Sequence, residues 1–157
     1  MIAGDAPMSL EGHRLIQEIL KAAQSVHSKL GCGFIESVYG RALIIELKNT
    51  DFRIEREKLI KIWYGSKIVG KHFLDLVINE TVIIELKAAR GIMPVHAAQM
   101  KSYLHATGYP MGIVLNFGMP ELQWELLETA HRTDLKNCRG GLYDRPRCLG
   151  FRYCGRS

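Results

Sequence analysis

The sequence contains no apolar run that approaches the ~20 residues a membrane-spanning helix requires, so its 157 residues predict no membrane span. Residues 1–8 lack a basic start followed by an apolar stretch. We therefore expect no secretory signal, and the cytoplasm is the expected compartment. The chain has only four cysteines, and without a secretory signal these do not predict a disulfide framework. No internal repeat is present, and the length suits one folded domain.

The greater part of the chain also lacks an excess of charge of either sign. Residues 1–130 contain 14 Lys and Arg against 14 Asp and Glu, so the net charge of +5 comes from residues 131–157. We predict a folded domain at 1–130 and a basic, cysteine-containing tail at 131–157. The tail is either an arginine-rich arm that follows a phosphate backbone or an irregular, partly disordered terminus. If the folded domain binds polyanions, it must do so through a local patch.

The apolar residues follow patterns typical of both helices and strands. Helices are predicted at 9–30, 35–48 and from Pro94 to Gly108, strands at 53–64, 67–78, 82–87 and 111–117, and a strand or short helix at 122–127. Gly31 ends the first helix, and Pro94 suits the first position of the third. This order predicts an α/β fold with a mixed central β-sheet flanked by helices.

The most informative residues are Asp75, Glu85 and Lys87, which lie in two short apolar runs that read as a β-hairpin. Side chains alternate along a strand, so Glu85 and Lys87 point the same way. Charged groups inside apolar strands cost desolvation energy and are normally paired or bound to metal. If Asp75 lies across the hairpin, the three groups suit a divalent cation beside a water nucleophile. The alternative is a cross-strand salt bridge at the end of a hairpin.

An Asp, a short gap and Glu-x-Lys in a hairpin resemble the PD-(D/E)XK nuclease superfamily. Residues 33–39 read Gly-x-x-Glu-x-x-Tyr and resemble the GxxExxY family, a branch of that superfamily. Further stretches follow in that family's order over roughly residues 12–125, including 31–33, 64–65, 99–104 and 112–118. Leu74 departs from the pattern, because the superfamily's name has Pro before the Asp. The tail resembles nothing in the family.

The resemblance implies a restriction-endonuclease-like core with two N-terminal helices, a β-meander carrying Asp and Glu-x-Lys, a helix and a strand. It also implies divalent-metal-dependent hydrolysis of phosphodiester bonds in DNA or RNA. Asp75 and Glu85, with the backbone carbonyl of Leu86, are then expected to hold Mg²⁺ or Mn²⁺. Lys87 is expected to orient or deprotonate the attacking water, or to stabilise developing negative charge. The resemblance does not identify nucleic-acid-binding residues.

Two helices supply further candidates through the same resemblance. Glu36 is expected to contact the metal through a water or to hold a second ion, with Tyr39 orienting it. Gln99 is expected to brace the lysine, and Tyr103, four residues later, lies on the same helix face. Without the resemblance, Glu36 reads as a solvated glutamate beside a core tyrosine, and Gln99 and Tyr103 as an ordinary surface pair.

The cysteines suggest a metal cluster that their spacing argues against. Some nucleases of the superfamily hold an iron–sulfur cluster with one cysteine before the core and three after it, an order that Cys32, Cys138, Cys148 and Cys154 share. The last three are too widely spaced, so we do not expect an iron–sulfur cluster, nor a zinc site with His131.

Two alternatives to a nuclease share the same fold. One is a non-catalytic module that binds nucleic acid, and the other is a protein-interaction module with a large exposed apolar patch. The complete Asp–Glu–Lys set counts against both, because a non-catalytic protein has no chemical reason to keep it. The expected partner is nucleic acid rather than a membrane, and a homodimer is an open alternative.

Overall fold

The structure, a computed structural model, describes residues 9–129 and, for its backbone, residues 151–156. Within these residues the chain forms three helices and six strands, in the order α1 Leu10–Leu30, α2 Glu36–Leu47, β1 Ile54–Tyr64, β2 Lys67–Ile78, β3 Val82–Lys87, α3 Pro94–Thr107, β4 Met111–Asn116, β5 Gln123–Thr129 and β6 Phe151–Arg156. The segment at 122–127, left open between strand and helix by the sequence, is therefore part of a strand.

The strands form one mixed sheet whose spatial order follows the chain, from β1 to β6. All neighbouring strands are antiparallel except β3 and β4, which are parallel and are joined by α3. A parallel pair needs a crossover of this kind, because the chain must return to the starting edge before the second strand begins. The predicted fold class, a mixed central sheet flanked by helices, is confirmed.

The helix ends follow the signals read from the sequence. The Ser9 hydroxyl accepts a hydrogen bond from the backbone N–H of Gly12 and caps the start of α1. Pro94 occupies the first turn of α3. Gly108 ends this helix in the left-handed conformation, at φ 73°, where a residue without a Cβ carries no steric cost.

Two apolar cores lie on the two faces of the sheet. Helices α1 and α2 cover one face, where Ile84 and Leu86 of β3 are buried. Helix α3 covers the other face, where Ile83 of the same strand packs. A strand buried on both faces reads as a continuous apolar run, so charged residues at the end of β3 stand out in the sequence.

The tail contributes one strand at the edge of the sheet, because β6 pairs antiparallel with β5. Residues 130–150 lie outside the described residues, and with them His131, Cys138 and Cys148 of the cluster that the sequence argued against. Cys32, in the turn before α2, is exposed with a free thiol. None of the helices in the described part of the chain is long and apolar enough to cross a membrane.

Candidate active site

Asp75 and Glu85 lie on adjacent antiparallel strands at the point where the strands separate. The last paired residues of β2 and β3 are Leu76 and Ile84, and the same register continued by one residue places Asp75 opposite Glu85. There the backbone N–H of Leu86 donates to Asp75 Oδ2 at 2.8 Å. A side-chain carboxylate thus takes the place of a backbone acceptor, and the two acidic residues meet at the opening.

Strand β2 changes faces at Asp75. Leu74 and Leu76 are two residues apart and should share a face, yet Leu74 packs beneath α3 and Leu76 beneath α1 and α2. The neighbouring strand has an irregularity at the same place, because Glu57 has φ 50° and lies opposite Asp75 in the register. A left-handed non-glycine residue costs about 1–3 kcal/mol. Asp75 therefore lies between the two faces of the sheet.

Glu85 and Lys87 form a largely buried ion pair on the α3 side. Lys87 Nζ donates to Glu85 Oε1 at 2.8 Å, and Glu85 is only 5% exposed. The other carboxylate oxygen, Glu85 Oε2, is buried and has no hydrogen-bond partner in the described structure. The ion pair thus satisfies one oxygen of Glu85 and leaves the second available to a ligand.

A chain of hydrogen bonds continues from Lys87 into helix α3 and back to β2. Lys87 Nζ donates to Gln99 Oε1 at 3.4 Å, and Gln99 Nε2 donates to the Tyr103 hydroxyl. The hydroxyl in turn contacts His72 Nε2, whose ring also stacks on that of Tyr103. Since an ammonium can only donate, Lys87 fixes the direction of the first two bonds, from Lys87 to Gln99 and from Gln99 to Tyr103. The direction of the bond between Tyr103 and His72 is set by the tautomer of the histidine.

The protonation equilibria of this cluster are shifted by burial. Burial raises the pKa of Asp75, against the opposing effects of the Leu86 N–H and Lys87. Burial also raises the pKa of Glu85, with Lys87 opposing and Asp75 adding to the rise. For Tyr103, burial and the nearby Glu85 carboxylate raise the pKa to about 12. The Tyr103 hydroxyl thus keeps its proton.

A cleft of about 270 Å³ opens on the other side of Asp75, toward helix α2. Its lining includes Glu36, Arg56 and Glu57 beside Asp75 and Leu86. Glu36 is exposed in the first turn of α2, and its Oε1 accepts the backbone N–H of Ala88 at 3.2 Å. Glu36 thus fixes the segment after β3 and shares the cleft with Asp75.

Tyr39 lies in the core, and its hydroxyl is used by the turn before α2. It donates to the carbonyl of Gly31 at 2.8 Å and accepts the N–H of Phe34 at 3.1 Å, while its ring stacks on Phe117. The hydroxyl therefore holds the turn that leads into Glu36.

The oxygen atoms at the opening between β2 and β3 fit a small divalent cation. Residues 9–129 contain no group of three or more His, Cys, Asp and Glu side chains arranged to hold a metal. The oxygen atoms that could bind a cation here are those of the Asp75 carboxylate, the unpaired Glu85 Oε2 and the Leu86 carbonyl. The Leu86 carbonyl faces β2 because the N–H of the same residue does. Mg²⁺ commonly uses one or two carboxylates together with waters and substrate phosphates. These three oxygens are the groups at the opening that could hold the expected Mg²⁺ or Mn²⁺.

Sequence reasoning missed His72, Arg56 and Glu57 as neighbours of this site. His72 is three residues before Asp75, so strict alternation would place the two side chains on opposite faces. Arg56 and Glu57 lie on an edge strand with no apolar pattern to mark them. A histidine three residues before the Asp, on the same strand, was the available signal.

The mixed sheet, the strand opening and the Asp–Glu–Lys cluster define a restriction-endonuclease-like protein of the nuclease class. A family model described as the PD-(D/E)XK nuclease superfamily matches residues 13–127. The chain belongs to this superfamily. Comparison with the curated proteins and with the solved structures gives no match. The superfamily supports a nuclease-type function with a nucleic acid as substrate.

Proposed function

We propose that the protein is a divalent-metal-dependent nuclease in which Asp75, Glu85 and the Leu86 carbonyl hold Mg²⁺ or Mn²⁺. The observation that carries the proposal is the buried Glu85 Oε2, which has no partner in the described structure. A buried polar atom without a partner costs about 1–3 kcal/mol. A cation held between Asp75 and Glu85 would remove this cost and the repulsion between their carboxylates.

Each charged residue then has a role that its contacts support. When bound, the cation would lower the pKa of a water ligand and neutralise charge on the phosphate. Lys87, held by Glu85 and Gln99, can donate to the attacking water or to oxygen that gains negative charge in the transition state. Glu36, exposed in the cleft beside Asp75, can position a water or a second cation.

We also infer that the chain belongs to the GxxExxY branch, because the motif residues have separate structural tasks. Gly33 has φ 122°, in a region that favours glycine, and leads the chain into α2. Glu36 accepts a hydrogen bond from the backbone N–H of Ala88. The Tyr39 hydroxyl donates to the carbonyl of Gly31 and so holds the turn before α2. In this proposal the nuclease domain comprises residues 1–130, and the family match ends close to that boundary.

The direct test is an activity screen of the full chain on single- and double-stranded DNA and RNA, with Mg²⁺ or Mn²⁺ and with a chelator. We expect phosphodiester hydrolysis that requires the metal. Binding of nucleic acid without hydrolysis under every metal condition would instead favour the non-catalytic module.

Metal binding is expected to raise the melting temperature of the wild-type protein. At a metal concentration 100 times Kd, the shift is about 5–10 °C for a chain of this size. Glu85→Gln should lose this response because it removes a charged ligand. Without metal, the variant should melt higher than wild type at neutral pH.

The higher melting temperature expected for Glu85→Gln without metal follows from the raised pKa values of Glu85 and Asp75. A carboxyl whose pKa is raised on folding stabilises the folded state only at acidic pH, and this contribution is lost as the pH rises through the raised value. The difference in melting temperature between Glu85→Gln and wild type should therefore shrink on acidification. Glu18→Gln, which changes a half-exposed carboxylate on α1, is the control and should respond to metal like wild type. An equal metal response in Glu85→Gln and wild type would contradict the site.

The hydrogen-bond chain from Lys87 to His72 should position the lysine. Tyr103→Phe removes the hydroxyl that orients the Gln99 amide, and we expect kcat to fall about 10- to 100-fold with little change in KM. His72→Leu removes the hydrogen-bond partner of Tyr103 and should behave similarly. His72→Gln keeps a side chain that can donate or accept a hydrogen bond and should restore most of the rate. If His72→Gln and His72→Leu were equally active, the histidine would have no positioning role.

A further inference from the structure

The β1–β2 hairpin carries a concentration of positive charge next to the proposed active site. We define the hairpin arm as residues 58–73. It contains four lysines and no Asp or Glu, although residues 1–130 as a whole are balanced in charge. Lys58, at its base, is paired with Glu55 and Glu80. Among the described residues, no ion pair or hydrogen bond reaches the remaining three, Lys61, Lys67 and Lys71.

The strand register places two of these lysines directly opposite each other. Lys61 pairs with Lys71, next to the pair formed by Leu59 and Phe73. Like charges directly opposite on two strands destabilise a hairpin. The arrangement thus costs stability in the free protein, and an anion between the two ammonium groups would offset that cost.

The same face exposes large apolar side chains. Leu59 is 45% exposed, Phe73 58% and Trp63 56%. Since Ile60 is buried on the α3 side, its neighbours Leu59 and Lys61 point to the opposite face. That is the face of α2 and of the cleft that contains Asp75. The exposed face of the hairpin arm therefore combines aromatic rings and unpaired lysines on the cleft side of the sheet.

We infer that this face of the hairpin arm binds single-stranded nucleic acid and leads it to Asp75. Lysines neutralise phosphates, and exposed aromatic rings stack on bases that are not paired. Phe73 is two residues from Asp75, about 7 Å along the strand, so a base on its ring lies close to the proposed site of hydrolysis. The inference deepens the proposed nuclease function by naming the form of its substrate.

Lysines on an edge strand also protect a sheet from pairing with other chains. That role accounts for lysines alone, whereas here they lie beside exposed aromatic rings, which a protective edge would avoid. The combination therefore favours a polyanionic partner with apolar bases over another protein surface.

The test is fluorescence anisotropy of labelled single-stranded and double-stranded DNA with the full-length protein in a chelator, where no metal-dependent hydrolysis interferes. For the single strand, Lys61→Gln/Lys71→Gln should weaken binding about tenfold and reduce the slope of log Kd against log salt by about 1.4. Phe73→Ala should weaken binding of the single strand roughly 10- to 100-fold. Its effect on the duplex should be much smaller, because paired bases cannot stack on the ring.

The matched control is Lys21→Gln/Lys48→Gln, which removes the same charge from α1 and the end of α2 and should bind almost like wild type. Wild-type affinity in both arm variants would overturn the inference. The inference would also be overturned if the wild type is a dimer and these substitutions convert it to monomers without affecting DNA binding. The hairpin arm would then be a contact between two copies of the chain. If the arm variants bind the single strand more weakly but the wild type hydrolyses no nucleic acid, the nuclease proposal is rejected and the inference about the hairpin arm stands. Metal-dependent hydrolysis by the wild type, with unchanged single-strand binding in the arm variants, would support the nuclease proposal and overturn the proposed role of the hairpin arm.

Discussion

Lys87→Met is expected to reduce phosphodiester hydrolysis by about 10²- to 10⁴-fold, the range typical for loss of a proton-transfer or charge-stabilising group. Lys87 is joined by hydrogen bonds both to Glu85 and to the chain through Gln99. Methionine keeps the length of the side chain and removes its charge. The measurement is kcat under saturating substrate and metal, on whichever nucleic acid the wild type cleaves.

The same variant separates chemistry from metal binding. Removing the ammonium leaves Asp75 and Glu85 with more uncompensated negative charge, so the metal-dependent rise in melting temperature should persist or increase. Lys48→Met, on an exposed lysine after α2, is the control and should retain wild-type activity. A fully active Lys87→Met protein would remove the lysine from the mechanism and leave the proposed cation site untouched.

Gly118→Ala is expected to destabilise the protein by about 1–3 kcal/mol, which lowers the melting temperature by roughly 2–12 °C. A Cβ at this position would lie 2.4 Å from the carbonyl oxygen and 2.5 Å from the nitrogen of Ala89, both rigid backbone atoms. The chain must therefore move apart where the end of β4 passes the segment after β3.

The displacement should also reach the active site. Ala88 donates its N–H to Glu36, and Ala89 is held at both its N–H and its carbonyl by the side chain of Asn116. Gly118→Ala should therefore lower activity as well as stability. The control is Gly70→Ala, where a Cβ would make only ordinary contacts of 3.8 Å with Ile62. Equal melting of the two variants would mean that the segment after β3 adjusts without cost.

Much of the fold could be predicted because its signals are local. The first helix ends before Gly31, and the third lies between Pro94 and Gly108, as these residues indicated. The hairpin of β2 and β3 followed from two apolar runs separated by a short turn.

Other features could not be predicted because they depend on contacts between distant segments. The sequence indicated Gln99 as a brace for Lys87, but not that Tyr103 and His72 continue the chain of hydrogen bonds. His72 reaches Tyr103 only because α3 crosses back over the sheet between β3 and β4. Nor did the sequence indicate that the Tyr39 hydroxyl is bound by two backbone groups of the turn before α2.

The sequence by itself determined which charged residues lie in buried strands, since period-two alternation places Glu85 and Lys87 on one face whatever the rest of the chain does. The tertiary structure decided where Asp75 points. Strict alternation would place Leu74 and Leu76 in the same core. However, β1 has a left-handed residue at Glu57, and beside it the side chains of β2 switch from one core to the other. Asp75 thereby reaches both the cleft of Glu36 and the opening beside Glu85. Such an irregularity arises from how two strands fit two different cores, which no local pattern encodes.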